Sequence, residues 1–298
     1  EAPSLVSFPR TMKLKATLYI ALLIGWIATT SSCKKASQDP EPTNPTDTTQ
    51  PKDTVTYWTT VDEADKGLNK VYAFLRSSDF NEGLWPVTDI MSDDARKGGR
   101  PPDGLSNIEL PYDRFQVNAS TETHASWYTG LYKGIELANI ALKKIPKVTA
   151  LPENQRNRMV GEASFLRALF YLDLVRAFGN VPLLIRYPAP TTIDSIRQLP
   201  DSAIYQKVIV PDLIRAINSL PEKGAYSGTD IARVTKGAAR ALLARAALYM
   251  GSTYTFGLLQ DVPFATRQYE TAQEQAEAVI GSSLYGLEPD FSNAFLSI

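Results

Sequence analysis

Phe165-Leu166-Arg167-Ala168-Leu169-Phe170-Tyr171-Leu172-Asp173-Leu174-Val175-Arg176-Ala177-Phe178-Gly179 decides the fold of this chain. The run is the second half of a helix expected over Glu153–Phe178, and Gly179 stops it. It is apolar over most of its circumference. A helix of that kind is buried on several sides, so other helices must surround it. Arg167 is the exception. At about 100° per residue it points the same way as Tyr171, Leu174 and Phe178. A guanidinium in the middle of an apolar face needs a partner, because an unpaired buried charge costs several kcal/mol. A carboxylate or carbonyls from a neighbouring helix are expected as that partner, with a structural role for Arg167 rather than a ligand role.

The flanking segments also carry a helical period. Val61–Arg76 repeats Ala64, Leu68, Val71 and Leu75, with Asp62 as a cap or first-turn acid. In Trp127–Ile145 the residues Trp127, Leu131, Gly134, Ala138, Leu142 and Ile145 fall on one stripe. Trp127 is therefore read as core, and Pro146 ends the helix. His124, just before this helix, is read as a cap or surface residue. Asp201–Leu220 is helical in pattern, but Pro211 should break or kink it. In Val234–Met250 the residues Gly237, Ala241, Ala244 and Leu248 form a narrow stripe that lets another helix approach. Arg267–Ile280 turns Tyr269, Ala272, Ala276, Val279 and Ile280 inward. Val181–Ile185 is a short extended run, and no convincing series of strands appears. The expected fold is all-α, with tetratricopeptide-like antiparallel helix pairs, although a 34-residue period is not kept.

Asp79–Thr123 has no sustained period. Gly98-Gly99, Pro101-Pro102 and Asp103-Gly104 mark turns in it. A connection this long without periodicity is often functional.

The N-terminal part reads differently. Residues 1–11 lack an initiator Met and read as an upstream extension, with Met12 as the start. Residues 12–32 form a secretory signal: Lys13 and Lys15, then a 13-residue largely apolar stretch from Ala16 to Ala28, then small residues. That stretch is too short to span a bilayer, which takes about 20 residues. Cys33 follows directly, as in a bacterial lipoprotein signal, although Thr30 stands where an apolar residue is usual. The alternative is a free Cys beyond an ordinary cleavage site. Residues 33–56 are rich in Pro, Thr, Asp and Gln and should be a flexible tether. Residues 57–298 then form the helical body.

Composition excludes much else. In 298 residues there is one Cys and one His, so neither a disulfide framework nor a metal site of several His or Cys ligands is available. The net charge of −1 leaves no electrostatic footprint for nucleic acid. No nucleophile elbow, metal motif or phosphate loop is present, and no cofactor is implied. Asp89, Asp93 and Asp94 do not follow calcium-loop spacing.

Four ordered segments carry a resemblance. They are Trp127-Tyr128-x-x-x-Tyr132-x-x-Ile135-x-x-Ala138-Asn139; Glu162-Ala163-x-Phe165-Leu166-Arg167-Ala168-Leu169-x-Tyr171, continuing to Phe178-Gly179-Asn180-Val181-Pro182-Leu183; Asp212-Leu213-x-x-Ala216 with Leu220-Pro221; and Arg233-x-Thr235-Lys236-x-Ala238-Ala239-x-Ala241-Leu242-Leu243-Ala244-Arg245. Together they resemble the SusD/RagB family of outer-membrane lipoproteins, from about Trp58 onward. The resemblance implies a helical body anchored by lipid at Cys33 on the outside of the outer membrane. It implies capture of oligosaccharides or other nutrients without chemistry, and delivery to a TonB-dependent SusC-type transporter as partner. Family members are commonly much longer, so this chain reads as a fragment truncated at the C-terminus.

In such proteins the loop matching Asp79–Thr123 lies close to the glycan. Sugar binding uses flat aromatic faces and planar polar side chains. Trp85 is therefore the stacking candidate, and Asp93, Arg96 and Arg100 are the polar candidates. The competing reading makes Asp93–Arg100 a solvated charged turn and Trp85 rim packing. Two other functions compete with nutrient binding. One is a helical-repeat lipoprotein adaptor that binds protein partners only. The other is a glycosidase, which would need a carboxylate pair about 5–10 Å apart.

Overall fold

Thr60 opens the first helix of the body, α1 (Val61–Phe74), with a reciprocal cap. Its hydroxyl accepts from Glu63 N at 3.2 Å, and the Glu63 carboxylate accepts from Thr60 N at 3.0 Å. The computed structural model describes residues 57–92, 94–98, 106–118, 121–186, 196–256, 260–290 and 292–293, which belong to the unit Thr56–Ile298. The expected extension, signal, Cys33 anchor and tether lie outside the described residues, as do Asp93 and Arg100.

After α1 the chain forms α2 (Ser78–Trp85), a π-helical turn over Pro86–Ile90, α3 (Ser106–Asp113) and α4 (Glu122–Lys144). Then come α5 (Glu153–Phe178) and a short antiparallel pairing of Val181–Pro182 with Gln198–Leu199. Next are α6 (Asp201–Ile204), a second π-helical turn over Tyr205–Ile209, and α7 (Val210–Ser219). The last two are α8 (Lys236–Phe256) and α9 (Val262–Ile280). The packing is sequential: α4 lies against α1, α2 and α5; α5 against α7; α7 against α8; and α8 against α9. This is an all-α body of tetratricopeptide-like helix pairs, with α5 at its centre.

The burial of α5 agrees with its sequence. Met159, Leu166, Phe170, Tyr171, Leu172 and Leu174 are fully covered. Each such side chain contributes about 1.5–3 kcal/mol of burial. Arg167 has the partner its position demands: Asp212 on α7, with Asn139 on α4 accepting a further hydrogen bond. A second polar knot sits five residues earlier on α5. Glu162 accepts from Tyr72 Oη at 2.7 Å, from Arg158 at 2.8 Å and from Arg233 at 3.0 Å. Burial pushes the Glu162 carboxyl up, against the opposing pull of the two guanidiniums and the Tyr72 hydroxyl. Glu162, Arg167, Asp212, Asn139 and Arg233 are all motif residues. Their work is to fasten α1, α4, α5, α7 and the entry to α8.

Several expectations need correction. Asp79–Thr123 is not continuously irregular, since most of α2, the first π turn and α3 fall within it. These pieces are too short for their period to show. Pro211 does not end its helix. The π turn just before it changes the hydrogen-bond register where proline has no N–H to give, and helix continues to Ser219. The stripe on α8 is right at Gly237 and Ala244, which are buried, and wrong at its other two positions. Ala241 is exposed and Leu248 is 52% exposed, while Ala239, Leu242, Leu243, Ala246 and Met250 face inward. With alanine on several faces, the period cannot choose among them. Ile280 on α9 is exposed rather than inward. That helix also starts five residues earlier than expected, where Asp261 caps Phe264 N at 3.0 Å and Pro263 occupies the first turn.

Candidate functional site

The segment expected to meet ligand starts on α2. Gly83 lets α2 lie directly on α4: a Cβ at that position would overlap Trp127 Cβ and Cγ. Asp79 adds an exposed ion pair to Lys133 at 2.8 Å. Pro86 and Ile90 are buried and hold the π turn down. Trp85, between the helix and this turn, is left 43% exposed. The turn is closed locally: the Thr88 hydroxyl lies 3.1 Å from Leu84 O and 2.7 Å from Asp89 Oδ2, and its one proton serves one of these acceptors at a time. The Ser92 hydroxyl donates to Asp89 O at 2.6 Å.

Arg96 is exposed, and Lys97 lies 3.8 Å from Glu109. The structure thus holds Trp85 and Arg96 at the surface. No hydrogen bond or ring contact joins the two among the described residues. Tyr112, in the same segment, is fully buried and offers no free face. Its hydroxyl lies 3.3 Å from His124 Nδ1. His124 is within α4 rather than capping it, and its ring lies 4.8 Å from that of Phe178. Burial lowers its pKa, which favours the neutral imidazole.

The same segment forms one wall of a cleft of about 490 Å³, through Leu84, Val87 and Thr88. The other walls are α4 through Trp127, α5, the start of α6 and α8. They bring polar groups that the sequence reading did not single out. Asp173 on α5 is almost fully buried, and its one hydrogen bond among the described residues is a long one, 3.5 Å from Arg176 Nη1. Burial pushes its carboxyl up to about 6, against the pull of Arg176 and Arg245. The Arg176 guanidinium lies 4.4 Å from the ring centre of Tyr249 on α8. Tyr205 from the second π turn completes that side. One signal was available in the sequence: Asp173 and Arg176 interrupt the same apolar run as Arg167, three residues apart.

Among the described residues no group of three or more His, Cys, Asp or Glu is placed to hold a metal ion. No helix among them is long and apolar enough to cross a membrane.

Comparison with known proteins places this geometry in context. A SusD-like family model, described as starch-binding and associating with the outer membrane, matches residues 104–248. The SusD-like protein P2 of Formosa agariphila is 25% identical over 243 residues, covering 80% of this chain and 43% of that protein. A solved SusD superfamily protein from Parabacteroides distasonis superposes with a TM-score of 0.62 at 25% identity, covering 79% of this chain and 48% of the other. A solved laminarin-binding SusD-like protein gives 0.60 at 29% identity, covering 75% and 44%. The chain therefore spans less than half the length of each of these relatives.

Proposed function

We propose, from its similarity to SusD-like proteins, that the chain is a member of the SusD/RagB family and a cell-surface lipoprotein of the outer membrane that binds oligosaccharides. Cys33 carries the lipid, residues 33–56 are the tether, and the helical body presents the binding surface. It passes its cargo to a TonB-dependent SusC-type transporter and performs no chemistry on it. Trp85 is the stacking residue, with Asp93, Arg96 and Arg100 as hydrogen-bonding partners for sugar hydroxyls.

One observation carries this reading. Trp85 keeps a large exposed aromatic surface while the residues on either side of it, Leu84 and Pro86, are partly or fully buried. An aromatic ring held at the surface on a packed base is the element that carbohydrate stacking requires. The likeness to a laminarin-binding relative supports glucose-based oligosaccharides as the first ligands to try.

Calorimetric titration of the intact protein with laminarin and starch oligosaccharides tests the binding. Saturable binding that weakens in Trp85→Ala is the expected result. No heat from either series, together with no transporter retained on the immobilised protein, would overturn the proposal. Labelled palmitate that fails to enter the wild-type chain would remove the anchor at Cys33.

A further inference from the structure

The cleft behind the π turn is separate from the exposed face of Trp85, which does not line it. Three features of the cleft point to an occupant.

First, polar groups at its wall are left without partners among the described residues. Trp127 is only 2% exposed, and its indole N–H has no hydrogen-bond acceptor among the described residues. Arg176 Nε–H has none among them either. A buried donor without a partner costs about 1–3 kcal/mol, and such groups are rare in folded proteins. Opposite in character is Asp173, a nearly buried carboxylate whose one described hydrogen bond is 3.5 Å long. The wall thus offers spare donors and spare acceptors.

Second, the charges cancel. Asp173 and Asp201 stand with Arg176 and Arg245, so an ion of either sign meets its own sign in the wall. A neutral ligand that both donates and accepts fits this pattern, and a hydroxyl does both.

Third, an aromatic ring is prepared for stacking. Tyr249 is 38% exposed, and Arg176 lies over its ring at 4.4 Å. Arg176 is in turn steadied by Asp173, so the ring is braced by α5 although it grows from α8. Tyr205 adds a second phenol. The volume of about 490 Å³ lies within the range of ligand pockets, roughly 300–1,000 Å³.

We propose that this cleft is a second saccharide subsite, taking one or two neutral sugar rings against Tyr249, with hydroxyls accepting from Trp127 Nε1 and donating to Asp173. This deepens the glycan-binding reading above and rests on it. The subsite lies on α2, the two π turns, α4, α5, the start of α6 and α8, so it needs nothing from the Asp93–Arg100 segment.

The test is heteronuclear NMR of the intact protein with the four tryptophan indole N–H signals assigned. Laminaribiose and maltose are the probes, with glucuronic acid for comparison and calorimetry alongside. The Trp127 indole signal should move saturably with either disaccharide and not with glucuronic acid. Tyr249→Ala should weaken that response about three- to tenfold, the loss expected for one aromatic contact. This side chain is partly exposed, and the wild-type shift stands without the variant. Oligosaccharide binding by calorimetry with a motionless Trp127 signal would overturn the subsite and leave the general reading intact. Failure of all oligosaccharides to bind would remove both. A response to glucuronic acid stronger than to the disaccharides would overturn the assignment to neutral sugars.

Discussion

Arg167 on α5 and Asp212 on α7 face each other through two parallel hydrogen bonds, Nε to Oδ2 at 2.7 Å and Nη2 to Oδ1 at 2.9 Å. The pair is buried on both sides, and Asn139 on α4 accepts from the remaining Nη1 at 2.8 Å. Asn139 in turn donates to Leu184 O at 2.8 Å. One guanidinium therefore sets the mutual registry of three helices and the chain after α5. The geometry is the planar bidentate fork that arginine forms and lysine cannot.

Removing one partner should cost more than removing both. Asp212→Ala leaves a buried guanidinium with only Asn139, and should destabilise the fold by about 3–5 kcal/mol. The double variant Arg167→Met with Asp212→Leu should recover most of that loss. Denaturant unfolding of the single and double variants measures the difference. Equal losses in both would mean that packing, not charge pairing, is what matters there.

Gly83 should be intolerant of any side chain. Its Cβ position is filled by Trp127, so Gly83→Ala must push α2 off α4 or distort the indole. Overpacking of this kind costs about 1–3 kcal/mol. The thermal midpoint should fall, and the fluorescence of Trp127 should change with it.

Gly179 ends α5 with φ of +67°, a backbone state that side-chain-bearing residues rarely adopt, and a Cβ there meets open space. Gly179→Ala should therefore lose about 1–2 kcal/mol through backbone strain alone. A loss near zero in the denaturation midpoint would show that the chain relaxes to negative φ.

Asp173 gives a pH dependence of known sign. Burial raises its folded pKa to about 6, above the ordinary 3.8. The folded state thus holds the proton more tightly than the unfolded chain. The stabilisation is fully present below about pH 4 and is lost as pH rises through about 6. Arg176 and Arg245 pull the other way but do not overcome burial. Asp173→Asn removes the cost of ionisation, so the variant should gain about 1–3 kcal/mol on wild type at pH 7.5. At pH 4 the gain should disappear. A gain independent of pH would mean that ionisation of Asp173 does not cause it.

The helical body was legible because its signals are local. The apolar run of Phe165–Phe178 required surrounding helices, and the lone Arg167 required a buried partner. Both requirements are met within three neighbouring helices. Trp127 as core followed from its stripe in the same way. The misreadings share one cause, a signal too weak to choose. Alanines on several faces of α8 hid which face is inner. The turns around Pro86 and Pro211 are π-helical, and no spacing rule exposes them. His124 looked terminal because α4 begins earlier than its apolar stripe does.

The amino-acid sequence by itself determined the all-α class and the need of Arg167 for a polar partner. Periodicity and a stranded charge act within one helix, and chain order carries them. Only the tertiary structure decided that Asp212 is that partner and that Asp173, Arg176, Tyr205 and Tyr249 share one cleft with Trp127. Those residues come from different helices, and their meeting depends on packing angles and registry that no single helix encodes.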